Sequence, residues 1–105
     1  MMQSGIFTAY FPYTLEETAK KIRSLDFNTV QLDMHFKDID LSPGQITREK
    51  CVRIRDTFRD HNLPICCISG YTNIIHPDKA ERERRVGHLK EIIRHAQYLG
   101  SPYVI

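Results

Sequence analysis

Several features are missing from this 105-residue chain, and each absence excludes a class of protein. No stretch approaches the roughly 20 consecutive apolar residues that a membrane span requires. The N-terminus carries no basic flank followed by an apolar core, so no signal peptide is visible. No glycine-rich phosphate loop and no serine- or cysteine-based nucleophile motif can be found. Charge of one sign is not in excess either: 15 Lys and Arg face 13 Asp and Glu, a formal +2. That is too small to imply a nucleic-acid partner. The segment from Lys79 to Arg94 is rich in arginine, but Glu81, Glu83 and Glu91 are interleaved, which reads as a solvated helix face. Cysteine is scarce and odd in number, three in all. Cys66 and Cys67 are adjacent in a strand-like run, where neighbours point to opposite faces, so they are not expected to bridge each other. No further ligands at zinc-type spacing follow them. Reduced, buried thiols in a single cytoplasmic domain are the expectation.

What is present is organised around Pro64 to Asp78, Pro-Ile-Cys-Cys-Ile-Ser-Gly-Tyr-Thr-Asn-Ile-Ile-His-Pro-Asp. Ile65 to Ile68 has the composition of a strand buried on both faces. Ser69 and Gly70 break the run, a polar loop carries Asn73 and His76, and Asp78-x-x-Glu81 fits a capping box that opens a helix. Strand, loop, helix, with an amide and an imidazole in the loop, is the arrangement of a ligand-binding edge in parallel α/β folds.

The remainder follows the same alternation. Gly5 to Phe11 reads as a first strand that ends at Pro12. Thr14-Leu-Glu-Glu17 is a capping box, and Leu15, Ala19, Ile22 and Leu25 mark the buried face of the helix it starts, which Asp26 to Asn28 closes. Thr29 to His35 reads as a second strand, with Val30, Leu32 and Met34 on one face and Gln31, Asp33 and His35 on the other. Asp33 and His35, near its carboxyl end, are candidate site residues; hydrogen bonding to neighbouring loops is an equally open role for them. Lys37 to Gln45 is the longest loop and contains the turn signature Ser42-Pro43-Gly44. Thr47 caps a second helix running to about Asn62, with Cys51, Ile54 and Phe58 inward and His61 near its end, where a cation complements the dipole. A third helix spans Lys79 to Leu99, with Val86, Leu89, Ile93 and Ala96 as its apolar stripe, His88 and His95 exposed, and Gly100 in the C′ position. Tyr103 to Ile105 begins a fourth strand. The expectation is one α/β domain over residues 1–105, a parallel (βα)3β array like the first half of an eight-stranded barrel, with the chain reading as the front of something larger.

The run Ile68 to Asp78 resembles the corresponding loop of the xylose isomerase-like TIM barrels. The Phe-Thr-Ala-Tyr strand, the Asn-Thr-Val-Gln-Leu-Asp strand and the long third helix agree in order. That superfamily contains sugar phosphate isomerases and epimerases and the endonuclease IV type of DNA-repair enzyme. The resemblance implies metal-assisted proton transfer on a sugar or sugar phosphate in a full-length parent, with a divalent ion (Mn, Mg, Co or Zn) held mainly by residues of later strands and no ion expected in this stretch. It carries Asn73 and His76 over as substrate-pocket residues, beside Asp33 and His35. In endonuclease-type members the histidine matching His76 is a zinc ligand, which makes a phosphodiesterase the alternative reading. Tyr10 and Tyr71 could line a sugar pocket or fill a core. The stretch by itself is expected to lack turnover and to self-associate into a homo-oligomer through open strand edges, without a membrane partner.

Overall fold

The computed structural model describes residues 5–8, 13–70, 77–101 and 103–104. Three parallel strands and three helices alternate: β1 (Gly5–Phe7), α1 (Leu15–Ser24), β2 (Thr29–Leu32), α2 (Arg48–Asp60), β3 (Ile65–Ile68) and α3 (Lys79–Leu99). The sheet order is β1-β2-β3, and a single parallel bridge from Val104 to Ile68 starts a fourth position beside β3. Strands laid down in sequence order by right-handed crossovers place every helix on the same face of the sheet, as in one side of a barrel.

Local chemistry sets each helix. The Thr14 hydroxyl accepts the N–H of Glu17 at 3.2 Å and the Glu17 carboxylate accepts the N–H of Thr14 at 3.4 Å, completing the expected box at the start of α1. Leu15, Ala19 and Ile22 are buried as expected, but Leu25 is 48% exposed. It caps the helix, and Asp26 turns the chain away with φ +64°; Thr18 takes the fourth inward position instead. Thr47 accepts the N–H of Lys50 at the start of α2, whose inner face is Cys51, Ile54 and Phe58, all fully buried. At its end the His61 ring sits 2.8 Å from the Thr57 carbonyl and 3.5 Å from Glu16 of α1, tying the end of α2 to the neighbouring helix.

In α3, Asp78 accepts the Ala80 N–H at 3.0 Å, Glu81 pairs with Arg84 and Arg85, and Gly100 ends the helix in the left-handed region at φ +76°. The inward stripe differs from the expected one. Ile92 and Leu99 are the buried residues, and Ile93 is 53% exposed. Backbone N–H groups of residues 44 and 46 draw Glu91 inward, which rotates the helix toward His88, Ile92 and His95. The two histidines are accordingly half-buried rather than exposed.

β3 departs further from expectation. Val30 pairs with Ile65, but Gln31 pairs with Cys67, so the register shifts by one residue and Cys66 is the extra residue of a bulge. Ile65 and Ile68, three apart, therefore both face the helices and are buried. Cys66 is exposed and Cys67 half-buried, so the strand is not covered on both faces and only Cys51 is a buried thiol. The adjacent cysteines, read from strict alternation as pointing apart, lie with their sulfurs 3.7 Å from each other.

The core lies between the sheet and the helices. Val30, Leu32, Ile65 and Ile68 meet Ile22, Ile54, Phe58 and Leu99 there. Phe36, Ile39, Leu41 and Ile46 close its end, each no more than 6% exposed. These four come from the connection between β2 and α2, which is otherwise largely exposed and is anchored to the core through them. No helix among the described residues is long and apolar enough to cross a membrane.

Candidate functional site

The carboxyl ends of the parallel strands are joined by one side-chain and one backbone hydrogen bond. The hydroxyl of Thr8, just past β1 and buried, accepts the N–H of Asp33 at 2.8 Å, and the N–H of Ser69 donates to the Leu32 carbonyl at 2.8 Å. Thr8, Asp33 and Ser69 thus mark one edge. β2 stops at Leu32, earlier than the expected His35, because the backbone of Asp33 leaves the ladder for the Thr8 side chain. Burial pushes the Asp33 carboxyl above its usual range, while the nearby His35 and the N–H of Met34 pull it partly back.

Beyond Asp33 the chain folds over a cleft of about 630 Å³, bounded by His35, Lys37, Asp38, Asp40 and Ser42 on one side and His88 of α3 on the other. Its acidic groups are already engaged. One Asp38 oxygen accepts the Leu15 N–H at the amino end of α1 at 2.9 Å, and the other pairs with Arg53 at 3.0 Å. Asp40 accepts the backbone N–H and the hydroxyl of Ser42, which holds its carboxyl below the ordinary value. The Ser42-Pro43-Gly44 turn forms as expected, with the Gln45 N–H donating to the Ser42 carbonyl and Gly44 at φ +83°.

Two charged side chains pin this cleft wall. Lys50 donates to the carbonyls of Asp40 and Gln45 at 2.9 and 2.8 Å. Glu91 accepts the N–H groups of Gly44 and Ile46 at 2.9 and 3.1 Å. Burial alone would raise the Glu91 carboxyl. The two backbone hydrogen bonds and the neighbouring His88 and His95 outweigh burial and hold it below its usual value. His88 Nδ1 is buried without a hydrogen-bond partner, 3.9 Å from Glu91.

Of the residues singled out from sequence, Asp33 and His35 follow β2 on the expected edge; His35 bounds the cleft and Asp33 does not. Asn73, His76, Tyr10 and Tyr71 lie outside the described residues. Thr8, Lys50, His88 and Glu91 were not picked out. The spacing of His88, Glu91 and His95 on one helix face was the available signal, hidden by reading that face as solvated. No group of three or more His, Cys, Asp or Glu side chains among the described residues could hold a metal ion. The divalent ion implied by the resemblance does not fit these residues.

The family described as xylose isomerase-like TIM barrel matches residues 19–105. The chain belongs to this family. Its fold is similar to that of a D-psicose 3-epimerase solved in the presence of D-fructose, at 14% identity and a TM-score of 0.66 over 98% of this chain. A xylose isomerase domain protein from Alicyclobacillus acidocaldarius subsp. acidocaldarius is similar too, at 14% identity and a TM-score of 0.65 over 99% of this chain. The chain spans 36% of the length of each. No curated protein matches it. Within a xylose isomerase-like barrel the edge carrying Thr8, Asp33 and Ser69 is the carboxyl-terminal face, where this architecture builds its sites.

Proposed function

We propose that this chain is the sugar-binding front of an isomerase or epimerase that moves a proton on a sugar or sugar phosphate. The observation that carries the reading is the family membership of residues 19–105. The likeness to a D-psicose 3-epimerase supports ketoses as the substrate class of this reading. Both isomerisation and epimerisation shift a proton next to a carbonyl and need a positioned acid or base. Among the described residues Asp33 is suited to that task, since burial keeps its carboxyl readier to hold a proton than an ordinary aspartate. His35, Lys37 and Ser42 would meet sugar hydroxyl or phosphate oxygens in the cleft, and Asn73 and His76 would extend the pocket. This reading gives the described residues no metal ligation and places a divalent ion elsewhere in the parent barrel. It keeps the protein cytoplasmic.

Titration of the isotopically labelled 105-residue chain tests the reading, with D-fructose, D-fructose 6-phosphate and a DNA duplex as separate ligands. Saturable resonance shifts at His35, Lys37 and His88 with a sugar, and none with the duplex, are the expected result. Shifts with the duplex alone would replace it with the phosphodiesterase reading, and no saturable shift with any ligand would remove it.

A further inference from the structure

The bulge in β3 has a chemical result that neither the fold family nor the proposed sugar chemistry uses. Because Cys66 is the extra residue, its thiol lies beside that of Cys67 rather than opposite it, and neither is buried. Their sulfurs are 3.7 Å apart, and the Cys66 thiol also donates to the Val30 carbonyl at 3.2 Å, which fixes its direction. Cys66 further lines a cavity of about 280 Å³ with Gly5, Phe7 and Gln31. Two sulfurs at hydrogen-bonding distance, one exposed and one half-buried beside an open cavity, form a chelating pair. Burial and the bond to Cys66 raise the Cys67 thiol above its usual value, so that thiol is not an activated thiolate.

We propose that Cys66 and Cys67 form a preorganised dithiol site for a thiophilic centre that takes two sulfur donors, of which trivalent arsenic is the type. With a monosubstituted arsenic oxide, both S–H bonds break and two As–S bonds form. The two protons leave with the oxide oxygen as one water. Arsenic stays trivalent throughout, so no oxidant or reductant is required. The substituent on arsenic lies over the cavity beside Gln31. Chelation by two sulfurs exceeds binding by one because the second bond forms at high effective concentration. Cys51, fully buried in α2, takes no part.

The test is phenylarsine oxide added to the reduced 105-residue chain, followed by native mass spectrometry, circular dichroism and thiol titration in denaturant. One adduct per chain is expected, with titratable thiols falling from three to one, since the chain has three cysteines. The dichroism should be unchanged, because the pair is already in place. A small dithiol should reverse the adduct, and a monothiol at the same concentration should not. Cys66→Ser and Cys67→Ser should each weaken binding by about a hundredfold or more, the lost chelate advantage, while Cys51→Ala keeps it. An adduct that survives in Cys66→Ser, that a monothiol removes, or that forms only with loss of the folded dichroism would overturn the proposal. The sugar titration is read at different residues, so either idea can fail alone.

Discussion

Glu91 and Gly44 stand 47 positions apart in the chain and are joined by a 2.9 Å hydrogen bond from the Gly44 N–H to a Glu91 carboxylate oxygen. The other oxygen accepts from Ile46, so one side chain of α3 holds the carboxyl side of a turn that helps frame the cleft. Replacing Glu91 with Ala removes both acceptors. Leaving a partly buried N–H unpaired costs about 1–3 kcal/mol, and urea denaturation of Glu91→Ala should show a loss in that range. Glu91→Gln keeps one acceptor and should lose less. Because the folded carboxyl is held below its ordinary 4.5, its contribution is full above that pH and lost as pH falls through the lower folded value. The difference between wild type and Glu91→Gln should therefore shrink below about pH 4.5. A gap that stays constant into acid would separate Glu91 from the turn.

The core end under the cleft is aromatic. Phe58 of α2 is fully buried, and its ring centre lies 6.2 Å from that of Phe36, which comes from the cleft wall. Phe58→Ala should cost about 3–5 kcal/mol through lost burial and the cavity left behind, and Phe58→Leu distinctly less. The indirect effect matters more for function: Phe36 loses its partner, so the sugar-dependent shifts at His35 and Lys37 should weaken in Phe58→Leu even where the protein remains folded.

The order of strands and helices could be read from the sequence because it rests on local signals. Thr14, Thr47 and Asp78 cap the helices where their spacing said they would, and Gly100 ends the third. The errors arise where distant residues decide. The bulge at Cys66 is set by the register against Val30 and Gln31, and nothing in Ile-Cys-Cys-Ile announces it. The rotation of α3, which turns Ile92 inward and Ile93 outward, follows from Glu91 meeting N–H groups of a turn far away in the chain. Phe36, Ile39, Leu41 and Ile46 lack any helical or strand period, so their burial could not be seen by periodicity. The place of Asp33 at a strand end was legible, but its tie to Thr8 was not.

The face of the sheet away from the helices is poorly covered, with Cys66 exposed and Tyr103 64% exposed. Parallel sheets are normally covered on both faces. A few hundred Å² of apolar surface left in water forfeits on the order of 5–10 kcal/mol at about 25 cal/mol per Å², comparable to a domain's whole stability. With open strand edges offering the route, the 105-residue chain should self-associate edge to edge at micromolar concentration, leaving the Cys66–Cys67 pair within reach, and sedimentation velocity should find dimers or larger species. A monomer with sharp thermal unfolding would contradict this. The same chain should give no turnover of D-fructose in a deuterium-exchange assay, since the described residues include no metal-binding cluster.

Asp33 offers the most direct link between stability and the proposed chemistry. Burial raises its carboxyl above the ordinary 3.8, with His35 and the Met34 N–H opposing that rise only in part. A carboxyl whose folded pKa exceeds its unfolded value binds its proton more tightly in the folded state. Its favourable contribution is therefore present below pH 3.8 and is lost as pH rises through the folded value. At neutral pH the charged group burdens the fold. Asp33→Asn, which keeps the shape and the N–H bonded to Thr8 but carries no charge, should denature at higher urea than wild type at pH 7. That advantage should vanish as both are taken below about pH 3.8. On the proposed reading, such a burden is expected of a residue that acts on a substrate rather than one that serves the fold. The same substitution should weaken the sugar-dependent shifts at His35 even as it stabilises the protein. Equal stability of the two proteins at pH 7, with sugar binding untouched, would remove Asp33 from the site.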